Sequence, residues 1–330
     1  MKRILVAFLL FVFCIPALAQ YTKFTPLLTP PNGSSLSPIS INNANQILAT
    51  FNNASGQRKL IFAGTKGFTN VNIPLDTSTV SLFPTGLNSV GDFYGRAIRL
   101  IGLNRIDEAF TKCHTAGPLR YFKIPDALGT VITGINDKGV VVGYYSEPDP
   151  DAPDWAPKYQ VHGFKSVLQN SGFFPPTVSF DFAGVPYSYV TGINNNGDIV
   201  GYYQYPDFEG YYYIESGFLL SKGQLYELVW DAQNGEKRWP VIPLGINNHG
   251  VIVGRTYPPD DPGFVRGFAL ENGTVSIVNF PDNPAADPGA TLTKWTELRS
   301  INDSGVIIGW YDQELSFAPW DRRGGFILTK

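Results

Sequence analysis

The chain has 330 residues, with 25 Lys and Arg against 28 Asp and Glu, 43% apolar residues and 14% aromatics. This slightly acidic balance excludes the concentrated basic face of a nucleic-acid binder. Gly (34) and Pro (26) are abundant but fall short of a disordered composition, so the chain reads as folded and rich in turns.

Residues 1–19 have the layout of a secretory signal peptide. Lys2 and Arg3 give a basic start, Ile4 to Ile15 is an apolar run, and Pro16 precedes Ala17-Leu18-Ala19, an A-x-A cleavage site. The run is too short to span ~30 Å of hydrocarbon, and no later segment is a candidate span. The expected product is an exported protein of residues 20–330, extracellular or periplasmic. Cleavage removes Cys14 and leaves Cys113 alone, so burial and strand pairing must hold the fold without an internal disulfide. Sequons stand at Asn32, Asn53, Asn272 and Asn302.

A repeat organises the rest. Its first part occurs six times, anchored on Asn42, Asn88, Asn136, Asn194, Asn247 and Asn302. Gly192-Ile-Asn-Asn-Asn-Gly-Asp-Ile-Val-Gly201 is a full copy. Asn opens a turn, where its side chain accepts a backbone amide two residues on. The Gly three residues later suits the left-handed position of a type I turn with a G1 bulge, and Asn45 takes that place in the first copy. A second Gly, at 95, 143, 201, 254 and 309, sits within a strand and predicts the close approach of another backbone or ring. Downstream comes a Gly-Phe signature, with its Phe at 164, 218, 268 and 326 and an Ala-Phe version at Phe110.

Each repeat reads as four short strands with no helical period, predicting an all-β chain. Six such units in one domain, residues 20–330, predict a six-bladed β-propeller of four-stranded blades. The chain stops after the sixth unit's third strand, and Tyr21 to Leu28 has no unit of its own. The ring is therefore expected to close by pairing this amino-terminal strand with the carboxy-terminal blade, which removes both free edges.

The G-I-N-x-x-G-x-[IV]-V-G segments with the downstream His162-Gly-Phe164 resemble the HAF-type extracellular repeats of bacteria. The resemblance implies secretion and a propeller-like fold, and it carries no catalytic residues. Other units replace His162 with Glu108, Ser216, Arg266 or Gly324, which argues against a shared ligand role for the histidine.

The loops between second and third strands are long and rich in Tyr, Trp, Pro and acids, on the face that also carries the connections between units. Candidate binding residues there are Asp151, Asp154, Trp155, Tyr205, Asp207, Tyr211, Tyr257, Asp260, Asp261, Asp312, Trp320 and Asp321. Aromatic rings beside carboxylates suit sugars and protein partners alike. No spacing matches a calcium loop, and His114, His162 and His249 lie in different units, so no metal or cofactor is expected and no catalytic residue is assigned. The expectation is a secreted, monomeric, non-catalytic binding module for a glycan or a cell-surface protein, without nucleic-acid or membrane contact. The alternatives are a carbohydrate-active hydrolase or lyase using carboxylates on the same face, and a structural scaffold.

Overall fold

The computed structural model describes residues 2–3, 15–16, 21–31, 33, 36–112, 117–152, 157–167, 178–181, 185–206, 213–231, 238–257, 263–282, 290–315 and 322–330. These residues form β-strands, turns and connections, and no helix among them is long and apolar enough to cross a membrane. The chain divides into two compact units, Met1–Phe11 with Ile73–Leu228, and Val12–Asn72 with Val229–Lys330.

The first unit holds the second, third and fourth repeats. Each begins as an antiparallel meander: Thr79–Leu87, Phe93–Ile101, Asn104–Lys112 and Leu119–Phe122 in the second repeat. The third uses Gly129–Ile135, Val140–Pro148, Tyr159–Val167 and Val178–Phe180. The fourth uses Tyr187–Ile193, Ile199–Pro206, Tyr213–Ser221 and Gln224–Asp231, the last reaching the unit's edge.

The other unit holds the first, fifth and sixth repeats. The first is Ser37–Ile41, Ile47–Asn52, Arg58–Ala63 and Phe68–Asn70. The fifth is Arg238–Ile246, Ile252–Thr256, Arg266–Glu271 and Thr274–Val278. The sixth supplies Ala290–Ile301, Ile307–Leu315 and Arg322–Thr329. Its fourth strand comes from the amino end: Lys23–Pro26 pairs antiparallel with Arg322–Thr329, Lys23 opposite Thr329 and Pro26 opposite Phe326.

The turn chemistry follows the repeat. The Asn247 side-chain oxygen accepts the amides of His249 (3.1 Å) and Val251 (2.9 Å), and the same pattern recurs at Asn42, Asn88, Asn136 and Asn194. Position three after the Asn is left-handed throughout, with φ of 59° at Asn45 and 79° at Gly250. The amides of Asn42, Asn88 and Asn194 donate within their own turns, to Gln46, Asp92 and Asp198, while those of Asn136, Asn247 and Asn302 reach the neighbouring repeat. Asn136 Nδ2 donates to Asn194 O (3.0 Å) in one unit, and Asn247 Nδ2 donates to Asn302 O (3.0 Å) in the other. Asn302 Nδ2 continues to Asn42 O at 3.2 Å, so this sequon asparagine is buried and engaged.

The strand glycine opposes the Gly-Phe ring. Gly143 faces Phe164, Gly201 faces Phe218, Gly254 faces Phe268 and Gly309 faces Phe326, all four phenylalanines being buried. A Cβ on Gly201 would collide with the carbonyl oxygen of Tyr189 and lie 2.6 Å from Phe218. In every repeat the first strand bulges at the residue three before the Asn: Ile39, Thr85, Thr133, Thr191, Leu244 and Arg299. Thr133 Oγ1 uses the bulge to donate to Val190 O of the next repeat at 2.7 Å.

The residue before Gly-Phe bonds toward the outer part of its own repeat. His162 Nδ1 lies 2.5 Å from Asp181, Ser216 donates to Glu227 (2.8 Å), and Arg266 donates to Asn279 (3.3 Å) and also, at 2.8 Å, to Thr293 O of the sixth repeat. His, Ser and Arg are interchangeable there because each finds its own polar partner. Gly201→Ala is expected to lower stability by about 1–3 kcal/mol through overpacking, whereas Gly67→Ala, with open space around it, should stay within about 0.5 kcal/mol. Thermal or urea unfolding of the two variants checks this.

Candidate functional site

The sixth repeat departs from the others on its first two strands. Five residues before the turn Asn the repeats carry Ser37, Phe83, Val131, Tyr189, Ile242 and then Glu297; the bulge residue becomes Arg299. Antiparallel register sets Glu297 opposite Trp310 and Trp295 opposite Asp312, so the four side chains share one face of the sheet. The Trp295 and Trp310 rings stack with centroids 5.7 Å apart.

Glu297 is 1% exposed and fully engaged. Its Oε1 accepts from Trp310 Nε1 (3.0 Å) and lies 2.6 Å from Arg299 Nε; its Oε2 accepts from Arg255 Nη1 (3.0 Å), which reaches over from the fifth repeat. Each arginine also lies over an indole, Arg255 at 5.8 Å from Trp295 and Arg299 at 5.9 Å from Trp310. Burial alone would raise the Glu297 carboxyl, but Arg299 and then Arg255 outweigh it and hold the group below the usual carboxylate range. Glu297 is thus a fixed negative charge that anchors two cations, and it is unsuited to donate a proton near neutral pH. Asp312 is more open, its side chain 16% exposed, and accepts from Arg323 Nε at 2.8 Å.

The same register in the first unit is aromatic. Tyr189 stacks on Tyr202 (4.8 Å) and meets Tyr144 edge-on (5.1 Å), while Arg96 lies 5.1 Å over Phe83 and pairs with Asp107. Of the loop residues expected to bind, Asp312 belongs to the Glu297 face. Asp151 is exposed in its loop, Tyr205 is half-buried against Tyr203, and Tyr257 is half-buried just beyond Thr256. Asp154, Trp155, Asp207, Tyr211, Asp260, Asp261, Trp320 and Asp321 lie outside the described residues. Glu297, Arg299, Trp295 and Trp310 are not among the sequence candidates, because their side chains meet only through cross-strand register. The available signal was a Glu and an Arg, in one copy alone, at positions that are neutral in the other five. Among the described residues no group of three His, Cys, Asp or Glu could hold a metal ion.

No known protein family and no curated protein matches the chain. Solved structures do. The α-L-arabinofuranosidase Arb93A of Fusarium graminearum, solved with an iminosugar inhibitor, is 11% identical with a TM-score of 0.50, covering 93% of this chain and 98% of its own. A GH93 α-L-arabinofuranosidase of the same fungus with arabinobiose (12% identical, TM-score 0.48) is matched over 93% of this chain and 98% of that one. A protein of unknown function from Dyadobacter fermentans (12%, 0.48) is matched over 94% and 98%. The first of these likenesses shows a fold of the β-propeller-like kind.

The comparison also corrects the expected function. The non-catalytic binding module expected from the sequence is not the reading this likeness backs: the structure matched in fold is an α-L-arabinofuranosidase solved with an iminosugar inhibitor, which agrees better with the alternative reading. Removing the Glu297 charge leaves two arginines uncompensated. Glu297→Gln is expected to cost about 2 kcal/mol or more at neutral pH, tempered by the 39% exposure of the Arg299 side chain. Because the folded carboxyl titrates below its unfolded value, that contribution is complete above the ordinary Glu range and fades as pH falls through the depressed value. Urea titrations of both proteins between pH 7 and pH 3 should show their stabilities converging in acid.

Proposed function

We propose that the protein is an exported, carbohydrate-active hydrolase whose saccharide site is the Trp295–Trp310 face of the sixth repeat. In this reading the six repeats form the blades of one propeller, kin to the HAF-type repeats, and the Lys23–Pro26 strand closes the ring against Arg322–Thr329. The observation that carries the function is the composition of one sheet face: two stacked indoles, a buried carboxylate clamped by two arginines, and a second, more accessible carboxylate. The likeness in fold to an α-L-arabinofuranosidase supports it.

The roles follow from exposure and charge. The indoles offer flat apolar surface to the C–H face of a sugar ring. Glu297 holds Arg255, Arg299 and Trp310 in place. Asp312, whose side chain is 16% exposed and whose Oδ2 is held by Arg323, is assigned as the base that takes a proton from the attacking water, while the departing sugar oxygen takes its proton from solvent.

Release of reducing ends from arabinan and other plant and bacterial polysaccharides tests this directly. Asp312→Asn is expected to lower kcat by at least ~100-fold, and Trp310→Ala to raise KM. A folded protein that cleaves no glycan overturns the reading, and an unimpaired Asp312→Asn variant overturns the assignment of that residue.

A further inference from the structure

We infer that the first unit carries a saccharide site of its own, on a strip that crosses its three repeats, in addition to the Trp295–Trp310 face. The strip is set by register. Phe83 stands opposite Arg96, Val131 opposite Tyr144 and Tyr189 opposite Tyr202, so each sheet contributes one side-chain pair from the same place in its repeat. Val131 is buried, while the other five are half-buried, as is Asp107 beside Arg96. A sealed core would take aliphatic residues at these places; partly exposed tyrosines, each with a hydroxyl, belong to a surface.

Two kinds of surface meet on the strip. The Tyr189 and Tyr202 rings are stacked, 4.8 Å between centroids and 18° between planes, and Tyr144 meets Tyr189 edge-on. Half-exposed flat rings of this kind suit the C–H face of a sugar. Next to them stands a donor–acceptor couple. Arg96 donates from Nε to Asp107 Oδ1 and lies 5.1 Å over the Phe83 ring, which fixes the guanidinium in one orientation. That bond uses one N–H and one carboxylate oxygen. The Nη groups of Arg96 and the Oδ2 of Asp107 have no partner among the described residues, and the two side chains are 37% and 29% exposed.

The Tyr144 hydroxyl completes the set. It has no hydrogen-bond partner among the described residues. Burial raises its pKa above the ordinary tyrosine value, and Arg96 and Asp107 both lie near enough to act on it. A fixed Nη donor beside a free carboxylate oxygen matches two adjacent sugar hydroxyls, whose oxygens accept from N–H or O–H groups while a hydrogen goes to the carboxylate. The charges of Arg96 and Asp107 cancel, so the ligand class is a neutral saccharide with a vicinal diol. Asp107 is the one carboxylate among these residues and is already paired with Arg96, which suits binding rather than cleavage.

The test is isothermal titration of the purified protein with arabinotetraose, xylotetraose and cellotetraose, on the wild type and on a Trp310→Ala background that disables the sixth-repeat face. At least one of the three sugars is expected to bind the Trp310→Ala protein. Adding Arg96→Gln should weaken that binding at least tenfold, and adding Tyr144→Phe about fivefold. Raising salt from 20 to 300 mM should leave the affinity unchanged, as for an uncharged ligand. No binding of any of the three to Trp310→Ala, or binding indifferent to both added substitutions, overturns the inference and leaves the sixth-repeat site standing. Wild-type binding that Arg96→Gln and Tyr144→Phe abolish and Trp310→Ala leaves whole supports the inference and overturns the Trp295–Trp310 site instead. Should Arg96→Gln not fold, Tyr144→Phe, which removes only a hydroxyl without a protein partner, still decides.

Discussion

The asparagine at the first turn of each repeat is the interaction on which the rest of the structure depends. Its side-chain oxygen gathers two backbone amides of its own turn, and its amide hydrogen goes to the matching turn of the next repeat in the pairs Asn136 to Asn194, Asn247 to Asn302 and Asn302 to Asn42. One buried side chain thereby sets both hairpin geometry and the height at which neighbouring sheets meet. Each of these buried amides would leave a polar group unsatisfied if lost. That cost accounts for the uniformity of the motif where the loops around it vary freely.

From that fixed point the packing follows. The left-handed residue after the asparagine returns the chain, and the next glycine brings the second strand against a backbone carbonyl. The space it leaves receives the Phe of the third strand. Phe164, Phe218, Phe268 and Phe326 are each at most 1% exposed, and burying a ring of that size is worth roughly 1.5–3 kcal/mol. Asparagine, glycine and phenylalanine are therefore one device written in three places along each repeat.

This device was legible in the sequence because it is repeated. Hairpin turns and all-β character follow from residues whose conformational demands are local, and the pairing of Lys23–Pro26 with the last sheet follows from the strand that the sixth repeat lacks. The candidate face is not legible by the same means. Glu297 and Trp310 meet only through cross-strand register, and Arg255 arrives from a different repeat. Asp312 is a sequence candidate because it stands at the mouth of a long loop, and Trp295 ends the connection that begins at Asp282, whereas Glu297 and Arg299 lie in the strand beyond it. Rings beside acids look alike in a binding protein and in a hydrolase, so composition alone does not separate the two.

The residue that steps out of the ladder opposite the strand glycine has a consequence for how such a protein diversifies. It is Thr at 85, 133 and 191 but Arg at 299, and in none of these does it fill the sheet's interior. A kink of that kind is a perch, built by the backbone and indifferent to what stands on it. One copy among six can exchange a hydroxyl for a guanidinium there while its siblings keep the architecture intact, so chemistry can be acquired by a single repeat at little risk to the whole.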